Sequence, residues 1–281
     1  GRLIFTAQDS VRVYVDGRLL IDSFGEHKQR VPGCDFRFVD GERHAFVIEF
    51  VCDVSGNSLT LSLDYRGEMM ERAVELARQS EAVVLVCGDD KVTSGEGMDR
   101  CDLRLYGKQR ELVERVCALG KPTVLVLENG KPVDLSWEAE HCNAILTAWF
   151  GGERGALAIS DALLGRYSPG GRLPISFPRS VGHLPCYYTM LPGGSDRYLE
   201  GPREALFPFG HGLSYCRFRY GELRVEKLAE PYSFAVAVEV ENLGEMTADE
   251  VVQLYVTDLE SSVVTPERTL QGFRRITLAP G

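Results

Sequence analysis

The sequence predicts a multidomain chain: an α/β sandwich, with a mainly parallel sheet and helices on both faces, flanked by two β-sandwich segments cut short at the chain ends. Three observations predict it. The hydrophobic period is two up to about residue 65, alternates between strand-like and helix-like runs through the middle, and returns to two after about residue 217. A length of 281 residues is more than one ordinary core takes up. Hydrophobic residues at 44% and charged residues at 26% make a chain that folds rather than a disordered one.

The opening runs Val11-Arg-Val-Tyr-Val15, Arg18-Leu-Leu-Ile21, Ala45-Phe-Val-Ile-Glu-Phe-Val51 and Leu59-Thr-Leu-Ser-Leu63 alternate as antiparallel strands do. Asp16-Gly17 lies between the first two and predicts a tight hairpin, because both central positions of that turn need positive φ. From Glu68 the period becomes helical, with Met69, Met70, Ala73, Val74, Leu76 and Ala77 interleaved with charges, so a boundary lies near Arg66-Gly67. A strand over 82–87, a loop over 88–106, a helix over 107–119, strands over 123–128 and 144–148 and a helix over 155–164 follow. β-Branched runs between amphipathic helices describe a parallel sheet buried on both faces. Beyond Pro208 and Gly210 strand-like runs return at 233–240 and 251–256, and a second β-sandwich begins near Arg217.

Composition excludes several classes of function. A formal net charge of -10 with no basic run argues against a nucleic-acid partner. No apolar run approaches the roughly 20 residues that span a bilayer. The eight cysteines are scattered singly, without zinc-like spacing, and read as reduced thiols of a cytoplasmic protein. The chain lacks G-x-S-x-G, G-x-G-x-x-G after its first α/β strand, and a Walker Lys-Ser/Thr, which disfavours a serine hydrolase and a nucleotide binder.

The loop after the strand over 82–87 carries the chemistry. It reads Gly88-Asp-Asp-Lys-Val-Thr-Ser-Gly-Glu-Gly-Met-Asp-Arg100, and it must lie beyond the carboxyl end of its strand, where such sheets bind ligands. Glu96 stands between two glycines, which leave a carboxylate uncovered at a turn. Asp99 and Arg100 are placed to brace the loop as a charge-assisted pair. On spacing alone a solvated loop is the commoner reading, and Asp89, Asp90, Glu96, Asp99 and Asp102 could instead hold calcium, although the regular alternate-residue ligand order is missing. Gly151-Gly-Glu-Arg-Gly155 suits close strand-to-helix packing better than phosphate binding, Trp149 suits a core, and His211 suits a turn.

Ser94-Gly-Glu-Gly-Met-Asp-Arg100 with Leu103, Leu105 and Gln109 resembles the S-E-G-x-D-R-x-x-L-x-L-P-x-x-Q stretch of family three glycoside hydrolases. Trp149-Phe-Gly-Gly-Glu-Arg-Gly-Ala156, Leu163-Leu-Gly-Arg-Tyr-Ser-Pro-Gly-Gly-Arg-Leu-Pro174 and Phe207-Pro-Phe-Gly-His-Gly-Leu-Ser-Tyr215 are similar to later motifs of that family, in the same order. The resemblance divides the chain into residues 67–216, the family's C-terminal α/β domain, and 217–281, the start of a fibronectin type III-like domain. Residues 1–66, through Asp9-Ser-Val-Arg-Val-Tyr-Val-Asp-Gly-Arg-Leu-Leu-Ile-Asp22, resemble the end of a protective-antigen-type module that some members carry.

The resemblance implies a β-glucosidase-like enzyme acting on an oligosaccharide or other β-glycoside with retention, without cofactor or metal. Glu96 matches the acid/base, and its role requires a pKa raised by a partly desolvated site. The partner aspartate comes, in this family, from an amino-terminal (β/α)8 barrel in cis, and no part of this chain reads as that barrel. Asp99 and Arg100 are supporting residues. Two departures stand out: Tyr198-Leu-Glu-Gly201 runs almost directly into Phe207, without the G-Y-R-Y-Y-like strand usual there, and Tyr106 replaces a proline. A non-catalytic carbohydrate-binding or structural fragment is the rival reading.

Overall fold

A computed structural model describes residues 2–7, 10–24, 34–36, 42–51, 59–64, 66–90, 93–193 and 198–281. The chain divides into two compact units, Gly1–Glu81 and Ala82–Gly281.

The first unit holds β1 (Arg2–Ala7), β2 (Val11–Val15), β3 (Arg18–Asp22), β4 (Cys34–Asp35), β5 (Phe46–Phe50), β6 (Leu59–Asp64) and the helix α1 (Arg66–Gln79). The strands form two antiparallel sheets, in the orders β4-β1-β6 and β3-β2-β5. Alternation in β2 turns Val11, Val13 and Val15 into a small core with Ile21, against which Ile48 and Phe50 pack. The hairpin forms as its sequence requires: Asp16 and Gly17 have φ of 52° and 78°. The Asp16 carboxylate also accepts from the Ala45 N–H at 2.9 Å and contacts His44 Nδ1 at 2.7 Å, and these bonds hold its pKa below the ordinary value. Its neighbour strand β5 is thereby tied to the turn.

The second unit begins with β7 (Val83–Gly88), α2 (Gln109–Cys117), β8 (Thr123–Glu128), α3 (Ser136–His141), β9 (Ala144–Thr147) and α4 (Gly155–Leu163). The strands form a parallel sheet in the order β7-β8-β9. Its centre, β8, is apolar on both faces, and Leu125, Val126 and Leu127 are fully buried. In β7, Leu85 and Cys87 face the core while Val84 and Val86 remain exposed. The helix α2 sends Val113 and Val116 inward and carries an Arg110–Glu114 pair, four residues apart, on its outer side. The six-residue α3 has no counterpart in the sequence reading.

Downstream lie β10 (Phe218–Tyr220), β11 (Arg224–Lys227), β12 (Phe234–Ala237), β13 (Val240–Asn242), β14 (Ala248–Val256) and β15 (Thr269–Leu278). They pair antiparallel as β10-β13, β11-β12 and β14-β15. The single strand expected over 233–240 is thus two, with different partners. A buried ion pair fastens this region to the rest of the unit: Arg172 meets Glu250 at 2.7 Å, and their side chains are 13% and 7% exposed. The shortened segment before Phe207 closes without an inserted strand, because Phe177 forms an isolated antiparallel bridge with Phe207 and is itself 1% exposed.

Candidate active site

The Glu96 loop leaves the sheet at Gly88, the last residue of β7. Gly88 has φ 144°, and a side-chain carbon there would lie 1.9 Å from the Glu128 carbonyl oxygen of β8, so the position accepts no larger residue without displacing the strand. Gln109, at the start of α2, clasps the same residue from both sides: its Oε1 accepts the Gly88 N–H at 2.7 Å and its Nε2 donates to the Gly88 carbonyl at 2.8 Å. The resemblance named Gln109 as part of the motif; the structure gives it this anchoring contact.

Next to this clasp Asp90 closes a turn, accepting at Oδ1 from the Thr93 N–H at 3.0 Å, while its own N–H donates to Thr93 Oγ1 at 2.9 Å. The following residues form a second turn over Gly95–Met98, with the Met98 N–H donating to the Gly95 carbonyl at 3.2 Å. Gly97, at the third position, has φ 73°, the left-handed value that such turns give to glycine. Glu96 is therefore at the crest. Its side chain is exposed, and among the described residues it makes no hydrogen bond or ion pair.

The expected Asp99–Arg100 brace is not made. Asp99 is exposed and without a partner among the described residues. Arg100 turns instead to the buried Asp89, with Nη1 3.9 Å from Oδ1. It also donates to the Arg104 carbonyl and lies over the Tyr106 ring. Lys131, from the loop after β8, lies 3.7 Å from the other carboxylate oxygen of Asp89, Oδ2, and donates to the Thr93 carbonyl at 2.9 Å. Lys131 and its pairing with Asp89 were invisible in the sequence reading, which placed Asp89 in a calcium-like cluster. Those acids disperse: Asp89 faces cations, Asp90 faces Thr93, and Asp102 binds Arg104, a bond that takes the Asp102 pKa down to about 2. Among the described residues no group of three or more His, Cys, Asp or Glu side chains is placed to hold a metal ion.

Two further loops meet this one at the same edge of the sheet. A side-chain carbon on Gly130 would lie 2.8 Å from the Phe150 ring and 3.3 Å from Ser94 Oγ, so the loops after β7, β8 and β9 converge there. Trp149, just past β9, has φ 54°, a conformation rare for a bulky residue, and sets its ring edge-on to Phe177 at 5.9 Å. Gly151 packs against α4 as expected, with room for no side chain before the Gly155 Cα. His211 occupies a turn, stacked on Phe207, and burial pushes its pKa down.

The model for the glycosyl hydrolase family 3 C-terminal domain matches residues 8–215, nearly three quarters of the chain. This chain belongs to glycosyl hydrolase family 3. A fibronectin type III-like domain model matches residues 250–281. The family 3 match begins at residue 8, and a protective-antigen-type module is not shown. Among relatives, a β-xylosidase of Formosa agariphila is 44% identical over 220 residues, covering 76% of this chain and 30% of that protein. A periplasmic β-glucosidase of Salmonella typhimurium is 38% identical over the same shares. The solved structure of a Kluyveromyces marxianus β-glucosidase in complex with glucose covers all of this chain and 37% of its own, at 26% identity and a TM-score of 0.78. The chain thus spans about a third of the length of the relatives it matches. Among the described residues no helix is long and apolar enough to cross a membrane.

Proposed function

We propose that this chain is the C-terminal portion of a retaining β-glycosidase, and that Glu96 is its acid/base. The observation that carries the reading is the position of the family 3 loop: Glu96 stands alone at the crest of a turn, on a loop rooted at the carboxyl end of β7. The names of the relatives favour a terminal β-linked glucosyl or xylosyl unit as substrate. An aspartate nucleophile comes from the amino-terminal barrel of the full-length enzyme.

In the first step that aspartate attacks the anomeric carbon, the glycosidic C–O bond breaks, and the Glu96 carboxyl gives its proton to the departing oxygen. In the second step the Glu96 carboxylate takes a proton from water, the water oxygen bonds to the anomeric carbon, and the ester bond to the aspartate breaks, releasing its carboxylate. Retention needs the two carboxyl groups about 5 Å apart, so the loop must present Glu96 to the barrel within narrow limits. The exposed crest suits a group that meets its substrate at a surface completed by another domain.

The test uses the full-length enzyme. With Glu96→Ala, kcat/KM for an alkyl β-glycoside falls about 10²- to 10⁴-fold, while a 2,4-dinitrophenyl glycoside, whose leaving group needs no proton, loses far less. Equal losses on both substrates, or none, contradict the assignment.

A further inference from the structure

We propose that Asp89 is a positioning residue for the acid/base loop, holding both limbs of the loop through Lys131 and Arg100. The inference rests on the reading of Glu96 as acid/base. The Asp89 side chain is 3% exposed, and its Oδ2 has no hydrogen-bond partner among the described residues. A buried carboxylate in this state needs compensating charge. Two cations supply it: Arg100, on the loop itself, at 3.9 Å from one carboxylate oxygen, and Lys131, on the loop after β8, at 3.7 Å from the other.

Each cation also holds loop backbone. Lys131 donates to the carbonyl of Thr93, three residues before Glu96, and Arg100, four residues after it, donates to the carbonyl of Arg104. Asp89 itself is fixed to the sheet, since its N–H donates to the Glu128 carbonyl at 2.9 Å. The carboxylate is therefore a stationary counter-charge between two side chains that grip the limbs on either side of Glu96. Without it the cations face each other across a buried gap, and both have an exit to water, because Arg100 is 17% and Lys131 31% exposed. Their departure frees the limbs and lets the crest wander. The operative property is charge at this point rather than bulk, which separates Asp89 from an ordinary core residue.

The experiment compares Asp89→Asn, Asp89→Glu and Glu96→Ala in the full-length enzyme, using kcat/KM for an alkyl and for a 2,4-dinitrophenyl β-glycoside. Asp89→Asn keeps the shape and removes the charge; it is expected to lose about tenfold to a hundredfold on the alkyl substrate, with a clearly smaller loss on the activated one. Asp89→Glu, which restores the charge, recovers part of the difference. An Asp89→Asn enzyme with wild-type kinetics, or with equal losses on both substrates, overturns the proposal while Glu96→Ala still shows its selective loss. If Glu96→Ala shows no selective loss, the acid/base reading falls and this proposal with it. Should Asp89→Asn fail to fold, Arg100→Gln and Lys131→Gln carry the test: a selective loss in either supports it, and wild-type kinetics in both overturns it.

Discussion

At the foot of the Glu96 loop nearly every polar group is engaged: Gly88 is clasped by Gln109, Asp89 faces two cations, and Asp90 is closed on Thr93. At the crest Glu96, Gly97 and Asp99 are exposed, and neither acid has a partner among the described residues. The contrast separates two tasks. The described residues hold the foot of the loop and leave its crest open; under the role proposed for Glu96, the surroundings that make it reactive come from the rest of the full-length enzyme.

The comparison breaks most easily at paired glycines. Gly88→Ala puts a methyl into the Glu128 carbonyl, so β7 and β8 must part; the expected loss is about 3 kcal/mol or more, read as a large drop in the melting temperature of the full-length protein. Gly97→Ala meets nothing within 4 Å and has only its positive φ to oppose it, a cost of about 1 kcal/mol. If the two substitutions cost the same, the foot is not the rigid end.

A further test lies at Glu138, in α3. It is fully buried with neither carboxyl oxygen hydrogen-bonded to another group among the described residues; desolvation pushes its pKa above the ordinary 4.5, and its charge also helps burial raise the neighbouring Cys87 thiol to about 11. The raised carboxyl stabilises the fold fully below the ordinary glutamate range, and that contribution is lost as pH rises through the folded value. Each pH unit between the two values is worth about 1.4 kcal/mol. Wild-type protein should therefore lose melting temperature across that interval relative to Glu138→Gln; parallel profiles would show that burial does not govern this group.

Much of this was legible in sequence because it depends on local rules. Asp16-Gly17 dictated its hairpin, the continuous apolar run of β8 dictated a strand buried on both faces, and the two glycines around Glu96 dictated an uncovered turn. The unread parts are those that local rules do not reach. Six residues of α3 are too few to display a helical period. The run over 233–240 is interrupted between Ala237 and Val240 because its halves pair with different strands, a long-range choice. Arg100 was matched to its sequence neighbour Asp99, whereas the fold brings it Asp89 from eleven positions away and adds Lys131 from a separate loop.

The most direct measurement is of product rather than rate. Full-length Glu96→Ala is incubated with a 2,4-dinitrophenyl β-glycoside and azide, and the sugar product is identified by proton NMR. An acid/base at Glu96 predicts a β-glycosyl azide, because the small anion needs no general base to attack the covalent intermediate. Formation of free sugar alone, at the wild-type rate, would contradict the role given to Glu96 and to the loop that carries it.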